Sequence, residues 1–189
     1  MTQVEVLTLH SIISLVSPHG LYLVGYAWLF GMSLWISFFG GVIAFKALPR
    51  QQFGNLQHKT FPIYFVISII ISSFLLGFWT ISHSNVITHI TRPNVADVAQ
   101  AYALASVLLC QAFNYFVIGP LTSRTMFKRH KLEKDEGKAY NAEGVSLEMK
   151  ALNRKFGMLH GISSLANLGA VIALGFHGLW IGNAGLKGY

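Results

Sequence analysis

His160, Ser163, Ser164 and Asn167 stand at i, i+3, i+4 and i+7 in an apolar segment that runs from about Phe156 to Gly182. On a helix all four fall within roughly a third of the circumference. An imidazole beside two hydroxyls is raw material for nucleophilic catalysis, with the histidine as base and a serine as attacking group. No third group orients the ring, however, so this chemistry is poorly supported. The other chemistry open to such a face is hydrogen bonding. An unsatisfied donor or acceptor in hydrocarbon is costly, so the face must meet other helices or a wet cavity. Gln111 and Asn114, on one face of an earlier apolar segment, are the side chains suited to meet it.

Other signatures of catalysis or ligation are missing. There is no His-Glu-x-x-His, no glycine-rich phosphate loop after a strand, no nucleophile elbow and no carboxylate pair beside these polar residues. His83, His89 and His177 lack the carboxylate or close spacing a metal needs. Cys110, the single cysteine, lies among Leu108, Leu109 and Ala112 and reads as an apolar filler, with no intrachain disulfide or thiolate cluster possible. The interiors of the apolar segments carry no acid of the kind an ion-coupled transporter keeps. No enzymatic activity, cofactor or metal is expected.

The elements that hold these residues must span a membrane. In 189 residues, 53% are hydrophobic and only 11% charged, and the mean hydropathy is positive, outside the range of a soluble globule. The expected fold is all-α: a single polytopic membrane domain over 1–189 with four transmembrane helices in an antiparallel bundle, at 21–45, 61–82, 95–118 and 156–182. Residues 1–20 lack the basic region of a signal peptide and read either as a short interfacial helix or as a frayed tail. In span one, Ser33, Ser37 and Gly41 form a small-residue ridge for close helix approach. Lys46 to Thr60 reads as a basic loop with turn chemistry at Pro49-Arg50 and Phe53-Gly54, and Pro62 as a first-turn proline of span two. Asn94 with Asp97 resembles a capping box opening span three, which Gly119-Pro120 breaks or kinks. A basic helical cytosolic loop follows over 119–155, and Ser146 caps a helix leading into span four.

Charge sets the expected orientation. Loops one-to-two and three-to-four hold 12 of the 14 Lys and Arg, so they face the cytosol and both termini face the lumen or exterior. Four cations of the third loop, Arg124, Lys128, Arg129 and Lys131, follow directly on the membrane exit. They are expected to lie against anionic headgroups, each contributing about 1 kcal/mol, or else to line a solvated loop helix. The polar cluster of His160, Ser163, Ser164, Asn167, Gln111 and Asn114 is expected at the cytosolic leaflet, with Arg50 and Lys59 joining His160 at its mouth. Two functions fit. One is a structural or partner-binding membrane protein whose polar residues join helices; the other is a binder or carrier of lipid or small solutes through that cluster. The partners implied are membrane lipids with anionic headgroups, a membrane-protein partner or a second copy of the chain, and no nucleic acid.

Three motifs occur in order: Gly31-Met32-x-x-Trp35-x-x-Phe38-x-x-Gly41-x-x-x-Phe45-x-x-Leu48-Pro49-Arg50-x-x-Phe53-Gly54-x-x-Gln57-x-Lys59-x-Phe61-Pro62-x-Tyr64-Phe65, then Asn114-x5-Pro120-x-Thr122, then His160-Gly161-x-Ser163-Ser164-Leu165-x-Asn167-Leu168-Gly169. Together they resemble the transmembrane protein 205 family, also called the domain of unknown function 4149, over roughly Ala27 to Gly175. The resemblance implies a four-span helical protein of the eukaryotic endomembrane system, sometimes linked with handling of toxic compounds and without an established enzymatic activity or agreed active site. The N-terminal stretch and the third loop do not match the family pattern, so nothing carries over to them.

Overall fold

The computed structural model describes residues 6–185, and these form helices and short connections with no strand among them. A short helix α1, Leu9–Ser14, opens with Thr8 and Ser11 capping each other's backbone amides, and none of its residues is buried. The first five residues of the expected interfacial helix lie outside the described region. Span one comprises α2 (Pro18–Leu34), a π-helical turn over Trp35–Gly40, and α3 (Gly41–Ala47). Ser17 caps its start by accepting from the Gly20 amide at 3.0 Å, and Pro18 occupies the first turn, where no amide donor is missed.

The basic loop expected over Lys46 to Thr60 is replaced by a corner at Leu48-Pro49. Leu48 is extended, the conformation favoured before proline, and α4 (Arg50–Ser82) starts at once. Pro62 therefore sits inside α4 rather than in its first turn. A one-turn helix α5, Asn85–Thr88, lies in the next connection. Span three begins with α6 (Ala96–Phe113), whose N-cap is Val95 with no side-chain bond. Asp97 does not close the expected capping box; its carboxylate accepts from Asn85 at 2.9 Å.

Gly119-Pro120 does not end span three. A second π-helical turn, Asn114–Ile118, lengthens the helix by the residue that the change of hydrogen-bond register requires, and α7 (Gly119–Glu136) continues it. The Gly119 amide donates to the Asn114 carbonyl, five residues back, and a Cβ at Gly119 would lie 2.7 Å from that oxygen. Glycine is what lets the turn close, and the proline after it has no amide to place. The segment expected as a loop over 119–155 is thus mostly rod: α7 runs to a left-handed Gly137, φ 64°, and α8 (Leu147–Ala184) starts where Ser146 accepts from the Met149 amide.

Four helices are long and apolar enough to cross a membrane: Pro18–Ala47, Arg50–Ser82, Ala96–Glu136 and Leu147–Ala184. At 1.5 Å per residue the shortest, of 30 residues, is ~45 Å long, so all overshoot a ~30 Å hydrocarbon layer. Span three packs between spans two and four, and span one lies against both of those. The core joins Leu29, Leu75, Trp79, Leu104, Ala170 and Leu174, whereas Ile70, Leu109, Leu165 and Leu179 point outward. An apolar exterior around a core with polar insertions is what a lipid solvent selects.

Candidate functional site

Asn167 is the centre of the polar cluster. Its side-chain oxygen accepts from Gln111 Nε2 at 3.2 Å and lies 3.1 Å from the Tyr64 hydroxyl, and its Nδ2 donates to Ser37 Oγ at 2.9 Å. The Tyr64 hydroxyl also lies 3.1 Å from Ser33 Oγ and receives a second hydrogen of Gln111 at 3.2 Å. Ser33 and Ser37 belong to span one, Tyr64 to span two, Gln111 to span three and Asn167 to span four. Every span contributes to one hub.

Its depth differs from the expected cytosolic leaflet. Asn167 follows Lys155, the last charge on α8, by 12 residues, or ~18 Å along the axis, and Ser33 precedes Lys46 by a similar distance. Both positions fall near the middle of a ~30 Å layer. The expected face of α8 is also split. Asn167 is buried and Ser163 half-buried, its carbonyl accepting from Asn114 Nδ2 at 3.2 Å, but Ser164 and His160 are exposed. His160 stacks on Phe156, with centroids 6.0 Å apart, and no hydrogen bond joins it to Ser163 or Ser164 among the described residues. Ser33 and Ser37 joined the hub without having been singled out as polar partners. Their spacing gave the signal, since a ridge that admits a close helix also brings two hydroxyls to it.

At the basic end a second assembly holds the corner to the long connection. Arg50 forms an ion pair with Glu133, whose Oε1 also accepts from the Tyr140 amide at 2.7 Å, and the Arg50 guanidinium lies 3.5 Å from the Tyr140 ring centre. Arg129 is only 5% exposed and lies 4.5 Å from the centroids of both Tyr140 and Phe156. It does not face the leaflet with its neighbours as expected; Arg124, Lys128 and Lys131 remain exposed on the outer side of α7. Arg50 is spent on Glu133, and Lys59 is exposed without a partner among the described residues.

A third assembly closes the opposite end. His177, with no exposed surface, lies 2.6 Å from the Tyr22 hydroxyl and 2.9 Å from Gln100 Oε1. An amide oxygen can only accept, so Nδ1 carries the proton and Nε2 accepts from the tyrosine, with the amide oriented as described. Trp79 stacks on His83 at 3.9 Å, meets His177 edge-on at 5.0 Å, and donates its indole hydrogen to the Asp97 carbonyl. Asp97 stands in the first turn of span three, as the expected capping box required, but it is buried. Among the described residues no three His, Cys, Asp or Glu side chains form a group that could hold a metal.

Comparison with known proteins gives this geometry a family. A family model described as a domain of unknown function (DUF4149) matches residues 24–131, more than half of the chain. Transmembrane protein 205 of Danio rerio is 23% identical over 160 residues, covering 78% of this chain and 81% of the relative. No solved structure matches. The family match therefore covers the contributions of spans one, two and three to the hub, and four helices of membrane-crossing length carry it: the chain is a multi-pass integral membrane protein and belongs to the DUF4149 family.

Proposed function

We propose that this protein is a non-enzymatic component of an endomembrane, structural or partner-binding, with both termini on the lumenal or exterior side. The observation that carries this reading is the hub. Its hydroxyls and amides bond to one another across all four spans, with no group that titrates near neutrality and no charge, so it fits the joining of helices better than proton transfer or solute binding. The orientation rests on charge: the corner and the long connection, with 12 of 14 cations, meet at one end through the Arg50–Glu133 pair.

Two measurements test the reading. A glycosylation acceptor placed after Tyr189 should be modified in microsomes and one near Lys138 should not; the reverse pattern overturns the orientation. Gln111→Leu with Tyr64→Phe should lower the melting temperature of the full-length protein in micelles and leave co-purifying lipid and solute unchanged. A rise in melting with loss of a bound molecule would replace the structural reading by the carrier reading.

A further inference from the structure

At the basic end, α7 and α8 separate enough to leave an open cleft of about 590 Å³. Four cations line it: Arg124, Lys128 and Lys131 from α7 and Lys155 from α8. All four are exposed, none has a hydrogen bond or ion pair among the described residues, and no carboxylate lines the cleft. Leu121, Phe127 and Leu152 supply its apolar wall. Neither Lys155 nor the pairing of two helices around these cations is evident from a run of basic residues.

The position narrows what can occupy it. Arg124 is the first charge on span three after Asp97, and Lys155 is the last on span four before its apolar run, so these two mark the edge of the hydrocarbon. The helices run antiparallel, with Leu121 one turn on the membrane side of Arg124 and Lys128 and Lys131 one and two turns outward. A ligand matching this order is anionic outside and apolar inside. Four unpaired cations also repel one another, and the repulsion is relieved by a phosphate between them. We propose that the cleft binds one anionic phospholipid of the leaflet at the basic end, its phosphate held by Arg124, Lys128, Lys131 and Lys155 and the start of an acyl chain lying along Leu121. Because one phosphodiester leaves most of this charge unmatched, a phosphomonoester headgroup is favoured over a phosphodiester. The inference goes beyond the structural reading of the hub and does not depend on it.

The test is native mass spectrometry of the full-length protein released from micelles, titrated with phosphatidic acid, phosphatidylserine or phosphatidylcholine. One phosphatidic acid should be retained most tightly, then phosphatidylserine, with phosphatidylcholine last. Each of Arg124→Gln, Lys128→Gln, Lys131→Gln and Lys155→Gln should weaken phosphatidic acid binding roughly fivefold. A control carrying Lys59→Gln, Lys134→Gln and Lys150→Gln, the same kind of change outside the cleft, should bind as the unmodified chain does. Leu152→Trp, which narrows the cleft and keeps every charge, should weaken retention. Equal loss in control and cleft variants, or full binding by Leu152→Trp, would show diffuse attraction to a basic surface and overturn the proposal. Equal retention of phosphatidylcholine would overturn it too, as would competition by glycerol 3-phosphate as strong as that by the lipid, which would make the site one for a free anion.

Discussion

Replacing Asn167 by leucine removes the contacts to Tyr64, Gln111 and Ser37 in one step. Interhelical polar contacts in membrane proteins average ~0.6 kcal/mol, so three amount to ~2 kcal/mol. The leucine offsets little of this, because lipid is as apolar as the core and burial carries no hydrophobic gain between helices. Nor are all the partners stranded: Tyr64 keeps Ser33 and Gln111, while Ser37 loses its Asn167 donor. A loss of ~2 kcal/mol corresponds to a fall of roughly 4–8 °C in melting temperature for a chain of this size. The assay is thermal unfolding of the full-length protein in micelles, followed by tryptophan fluorescence. A double-mutant cycle with Tyr64→Phe should give a coupling of about 0.6 kcal/mol, since the two groups share one bond. Melting at or above that of the unmodified protein, with no coupling, would refute the hub as what fastens the four spans.

Further expectations follow from the other assemblies. Gly119→Ala should lower stability by about 1–3 kcal/mol through the contact with the Asn114 carbonyl, where alanine at an ordinary helix position would raise it, so the sign of the melting shift decides. His177→Leu should cost about 1–3 kcal/mol by leaving the Tyr22 hydroxyl and Gln100 Oε1 unpaired, and unchanged melting would deny the bonding at that end. Arg129→Gln should increase protease cleavage within 137–146 because Tyr140 loses a cation above its ring, whereas exposed Lys128→Gln should not; equal cleavage in both would mean Arg129 does not hold the connection.

Apolar runs and charge blocks made the four spans legible, but not their lengths. Gln51, Gln52, Asn55 and Gln57 look like loop residues by polarity, yet glutamine forms helix readily and the stretch extends α4 beyond the hydrocarbon. The proline at 120 looked like a break because sequence does not show a π turn, in which one added residue shifts the bonding register and removes the conflict. Periodicity puts the polar residues of α8 within about a third of its circumference. Which part of that side meets other helices depends on how α8 is rotated against spans two and three, so Asn167 went inside and His160 and Ser164 outside. Arg129 shows the same limit from the other direction: it sits in a run of cations, but the turn of α7 carries it round to Tyr140 and Phe156.

The hub also bears on how the bundle is made. Spans emerge from the ribosome in order, and Asn167 lies on the last of them. Until residue 167 is synthesised, Ser37 lacks its donor and Gln111 and Tyr64 lack the side-chain oxygen they share. Arrival of the fourth span supplies all of the missing partners together. In the hub the fourth span therefore acts as a clasp, because one side chain on it closes bonds to each of the other three.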